Sequence, residues 1–89
     1  MIKLELELGN GTRVNKGEFK TISNAINGIT DYLNYIKYKS YYHRYSMIKN
    51  EETGENEIWI DFGSHTQFFY INGFTDKEYK EWIGRSSIK

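Results

Sequence analysis

The chain has no cysteine, no proline, one alanine and no net charge. Without cysteine it can form neither disulfides nor thiolate metal sites, which fits a reducing compartment and gives the cytoplasm as the expected location. The scarcity of proline and alanine beside abundant Ile, Lys, Asn and Tyr follows AT-rich codons, a mark of source rather than of physics. Twelve acids balance twelve Lys and Arg. A dedicated duplex-DNA binder carries a basic surplus, because phosphate contacts supply most of its affinity. The apolar runs fall short of the roughly 20 residues a membrane helix needs, so no membrane partner is expected. The opening "MIKLELELGN" alternates too strictly for a signal peptide.

Catalytic patterns are missing too. The glycines form neither a GxGxxG nor a GxxxxGK[ST] motif, and no Ser/His/Asp or Cys/His set has family spacing. The histidines, His43 and His65, are expected beside Phe62 as structural imidazoles. The expectation is a protein with no enzymatic activity, no cofactor and no metal.

What is present is local polarisation. Residues 35–49, "YIKYKSYYHRYSMIK", hold five of eight tyrosines and four of the Lys and Arg, with no acid. From Asn50 to Thr75 there are Glu51, Glu52, Glu55, Glu57 and Asp61 and no Lys or Arg.

Eighty-nine residues make a single domain, 1–89, around one core. Ile2, Leu4, Leu6 and Leu8 alternate with charged residues, the period of a half-buried strand. A three-residue loop, Gly9 to Gly11, sets Leu6 opposite Val14 and Glu7 opposite Arg13. Ile22, Ile26, Ile29, Leu33 and Ile36 then form a helical stripe, with Thr21 as N-cap and an end near Lys39. Gly28 interrupts the stripe at about 1 kcal/mol relative to alanine, which a close approach to the sheet would offset.

A four-residue loop, Glu51 to Gly54, pairs Met47 with Ile58, Tyr45 with Ile60 and Arg44 with Asp61. A slip of one residue would turn Arg44 toward the apolar face, so burial specifies the register. A two-residue Gly63-Ser64 turn would pair Ile60 with Gln67 and Ile58 with Phe69. "FTDKEY" holds a capping box, Thr75 with Glu78, and a staple, Phe74 with Tyr79, opening a short last helix. The expected fold is α+β, an antiparallel sheet in the order ββ-α-βββ-α with the long helix on one face.

Those registers place Tyr42, Arg44, Trp59, Asp61, Phe68 and Tyr70 on the second sheet face. Either the last helix covers that face, or it is an exposed aromatic and charged patch of the kind that marks a partner site. Tyr42, Arg44 and Trp59 are its candidate anchors. Glu51, Glu52, Glu55 and Glu57 read either as a solvated hairpin tip or as a prong for a basic groove. The order α-βββ-α resembles a double-stranded-RNA-binding domain, but "TDKEYKEW" opens its helix with Asp76 and Glu78 where that family has lysines.

In size, AT-rich character and the stretch "IWIDFGSHTQFFYI", the chain resembles small inhibitors from phages and mobile elements, anti-CRISPR proteins among them. The resemblance implies non-catalytic binding to a host protein, a nuclease or nuclease complex, in the host-cell cytoplasm. The alternative expectation is a single-stranded nucleic-acid (RNA) binder using residues 35–49. A homodimer through edge-strand pairing is a third.

Overall fold

The computed structural model describes residues 1–39 and 43–86. The order is β1 (Ile2–Glu7), β2 (Arg13–Phe19), α1 (Ile22–Tyr35), β3 (Arg44–Lys49), β4 (Asn56–Asp61), β5 (Phe68–Asn72) and α2 (Asp76–Ser86). The strands form one antiparallel sheet in the order β2-β1-β5-β4-β3, so the expected α+β architecture is present. The first strand in the chain lies inside the sheet, second from one edge and bonded to β2 and to β5.

Local chemistry explains the first hairpin. Leu6 faces Val14 and Glu7 faces Arg13, as the three-residue loop requires. Gly11 takes φ 84, and the Asn10 side chain accepts the Thr12 N–H at 3.0 Å. Farther along β2 the register shifts between Leu4 and Glu5: Leu4 faces Gly17 while Glu5 faces Asn15. The extra residue is Lys16, and Gly17 has φ 132. This bulge turns Phe19 onto the same face as Ile2, where an unbroken register would put Glu18.

α1 starts where Thr21 Oγ1 accepts the Asn24 N–H at 3.0 Å. It ends at Tyr35, short of the expected Lys39. Lys37, in the left-handed region at φ 58, donates to Asn34 O, and Tyr38 donates to Leu33 O, a Schellman closure built on lysine rather than glycine. Ile22, Ala25, Ile29 and Leu33 are buried, whereas Ile36, the C-cap, is exposed.

Gly28 sits against the ring of Phe19: a Cβ there would lie 2.6 Å from Phe19 Cζ. Gly17 borders the same ring, with its Cβ position 3.3 Å from Cε2. Two glycines thus shape a slot for one phenylalanine. Gly28→Ala gains about 1 kcal/mol of helix propensity but overlaps the ring, at a cost of roughly 1–3 kcal/mol. We expect a net loss of about 1 kcal/mol in urea unfolding. In a Phe19→Leu background the same change should stabilise the protein, by up to about 1 kcal/mol.

The core lies between α1 and one sheet face. It is built from Leu4, Leu6, Ile58, Ile60, Phe69 and Ile71 with the buried α1 residues. α2 packs beside α1 on that same face. Its capping box closes both ways, Glu78 N–H to Thr75 Oγ1 at 3.1 Å and Thr75 N–H to Glu78 Oε1 at 2.9 Å. The staple rings of Phe74 and Tyr79 stack at 5.9 Å, and Trp82 meets Tyr45 edge-on at 5.7 Å.

Candidate functional site

With both helices on one side, the opposite face of the sheet is left open among the described residues. Alternation puts Lys3, Glu5 and Glu7 of β1 there, with Arg13 of β2, Tyr70 and Asn72 of β5, Glu57 and Trp59 of β4, and Arg44 of β3. Between β1 and the loop of residues 50–55 the face forms a groove of about 720 Å³, with Trp59 and Arg44 outside its lining. Six glutamates line it against three cations, Lys3, Arg13 and Lys49, so its field is negative.

A charged network holds the floor. Arg13 reaches across the two intervening strands to Glu57 as a two-pronged pair, Nη1 to Oε2 at 2.7 Å and Nη2 to Oε1 at 3.1 Å. Its guanidinium lies 3.7 Å from the centre of the Tyr70 ring, and Nη1 also meets Glu5 at 3.3 Å. Asn72 Nδ2 donates to Glu5 at 2.9 Å and to Glu57 at 3.0 Å. Tyr70 donates to Glu7 at 3.1 Å.

Glu57 is 2% exposed. Burial pushes its carboxyl upward, but the hydrogen bonds from Arg13 and Asn72, with the charge of Arg13, outweigh burial and hold it below the ordinary 4.5. Arg13 is shifted up, first by its bond to Glu57. Among the described residues no buried side-chain polar atom lacks a partner. With its buried polar atoms partnered, the network braces the floor of the groove.

Glu57 therefore differs from its expected role. It belongs to β4 rather than to the hairpin tip, and it is an internal brace rather than a partner-facing acid. Glu51, Glu52 and Glu55 are exposed on the loop, at the rim of the groove. The loop has its expected form: Asn50 N–H meets Glu55 O at 2.8 Å, Gly54 has φ 76, and Asn50 Oδ1 accepts from Glu52 and Thr53.

The anchor residues divide. Arg44 faces Asp61 in register, as expected, and is exposed. The Asp61 carboxylate accepts the Gly63 N–H at 2.9 Å. Trp59 stands on the open face, its ring 5.2 Å from that of Phe68. Tyr42 lies outside the described residues.

The Gly63-Ser64 turn is a correction. Ile58 faces Ile71 and Ile60 faces Phe69, two residues beyond the expected pairing, and the connection runs from Phe62 to Gln67. Asp61 and Ser64 cause it: the Ser64 hydroxyl accepts the N–H groups of Thr66 and Gln67, which opens the turn into a loop. An even slip keeps every side chain on its face. It leaves His65 exposed in that loop, while His43 is half-buried with Nδ1 3.3 Å from Tyr45 Oη. Among the described residues no three His, Asp or Glu side chains gather as metal ligands, and no helix is long and apolar enough to cross a membrane.

Sequence reasoning missed Arg13, Glu5 and Asn72 as parts of this face. Their alternation was visible, but that β1 lies between β2 and β5 was not. Comparison with protein-family models, curated proteins and solved structures finds no match to the chain.

Proposed function

We propose that the protein is a non-catalytic binding module that inhibits a host defence nuclease in the manner of anti-CRISPR proteins, acting in the host-cell cytoplasm. The observation that carries the reading is a sheet face left open by both helices, with an acidic rim beside an aromatic pair. Glu51, Glu52 and Glu55 meet cationic side chains of a nucleic-acid channel, and Trp59 with Phe68 and Arg44 supplies the anchor. The Arg13–Glu57 brace keeps the face in shape and touches no partner.

The placement of the tyrosines favours this reading over RNA binding by residues 35–49. Tyr38 packs on Phe62 and Tyr45 on Trp82, both on the helix side. The open face is negative, which repels phosphate.

Pull-down from host lysate should recover a nuclease as the dominant species. Changing Glu51, Glu52 and Glu55 together to lysine should weaken that complex about 10–100-fold. Unchanged affinity in the triple variant overturns the proposal. Co-purifying RNA, with oligonucleotide affinity that falls steeply with salt, supports the rival instead.

A further inference from the structure

The two edges of the sheet are built differently. β2 is blunted by its Lys16-Gly17 bulge, and Lys16 folds back over the Tyr32 ring at 4.4 Å. β3 is a regular six-residue strand with no bulge, no glycine and no proline, exposed at every position. Its charges, Arg44 and Lys49, stand at the two ends, and the middle, Tyr45 to Ile48, carries none.

Asn50 donates inward to Glu55, so Ile48, Ser46 and Arg44, in step with it, turn their backbone groups to β4. Tyr45, Met47 and Lys49 present theirs to the open edge. The side chains of Tyr45 and Met47, 41% and 38% exposed, continue the apolar surface that Ile83 of α2 begins.

We propose that this edge takes a second copy of the chain, pairing β3 with β3 antiparallel about a two-fold axis at Met47. The charge pattern argues for this occupant. Basic residues (Lys37, Lys39 and Arg44) lead into β3 and open it, and the acidic hairpin (Glu51, Glu52, Glu55) follows it. Antiparallel pairing therefore lays the positive end of each copy along the negative end of the other. In this register Met47 meets Met47, and Tyr45 meets Lys49 of the second copy on the helix side. Arg44 lies opposite Asn50 of the second copy, beside its Glu51 and Glu52. A register centred on Ser46 would instead set Lys49 against His43. The edge of one short strand is a small interface, so micromolar affinity is expected. The strand edge carries this inference, independently of the nuclease reading.

Light scattering on size-exclusion fractions, from micromolar to sub-millimolar loading, should show the mass rising toward twice 10.6 kDa. Met47→Pro removes only an outward N–H and should hold the mass at 10.6 kDa with an unchanged circular-dichroism spectrum. The chain has no cysteine, so single thiols report cleanly. Met47→Cys should oxidise to a covalent dimer, because paired Cα atoms about 5.5 Å apart suit a disulfide. Tyr45→Cys, four residues out of step with its own copy, should not. A monomer at every concentration overturns the proposal, as does a dimer that survives Met47→Pro or cross-links equally at position 45. Should the proline variant unfold, the two cysteine variants decide alone.

Discussion

Arg13→Met is expected to destabilise the protein by about 3 kcal/mol at neutral pH, the order found when one partner of a buried ion pair is removed. The loss comes less from the attraction forgone than from the carboxylate left behind. Glu57 is 2% exposed, and without Arg13 only the amides of Asn72 and Asn50 face it. The double variant Arg13→Met, Glu57→Gln should recover a large part of the loss, since a neutral amide needs no counter-charge. The pH dependence separates the two terms. In the native protein Glu57 titrates below its ordinary value, so its contribution is present above about pH 4.5 and fades as pH falls through the lower folded value. In Arg13→Met burial acts unopposed by the guanidinium and moves the carboxyl upward. The deficit of the variant should therefore shrink on acidification toward about pH 4. Urea unfolding across that range measures it. A deficit independent of pH would mean that the guanidinium matters only for packing over Tyr70.

Phe69→Ala should cost about 3–5 kcal/mol, much of the roughly 5–15 kcal/mol available to a domain of this size, whereas Phe68→Ala should cost about 1 kcal/mol. The two residues are neighbours of the same type, and only the face differs. Phe69 is fully buried, 5.1 Å from the Phe62 ring and 6.0 Å from Tyr32, beneath α1. Removing it opens a cavity that the sheet backbone cannot collapse into. Phe68 is half-buried against Trp59, so its loss forfeits one ring contact and partial burial and leaves a space open to solvent. Thermal unfolding of the two variants is a direct check. Equal losses would mean that Phe68 is covered in solution as fully as Phe69.

What could be read from the residues was local. The two hairpins with loops at Gly9–Gly11 and Glu51–Gly54 kept their registers, because a left-handed glycine and the burial of alternate residues both specify the same alignment. The Thr21 cap and the Thr75–Glu78 box likewise depend on residues within one turn. The loop after Asp61 was misread because Gly63-Ser64 has hairpin composition, while side-chain acceptors two and three residues away decide its path. The helix end was misread because a left-handed lysine leaves no glycine signal. The bulge in β2 was not anticipated, although a lone glycine in a strand such as Gly17 is a usual mark of one.

For the candidate site, Trp59 and Arg44 were legible from alternation, and the exposed glutamates from the acidic run at the hairpin loop. Glu57 was not. Its burial depends on Arg13 arriving from the far side of the sheet, and on Asn72, both fixed by the strand order.

The interior position of β1, between β2 and β5, has a consequence for synthesis. Lys3 pairs with Asn72, so the first of the five strands to be made waits for the last before its second edge is satisfied. In the meantime its alternating leucines have β2 beside them and α1 over them, with the β5 side still open. Maturation is thus gated by the arrival of β5, and nascent chains stalled before it should be captured by chaperones that read exposed apolar strands.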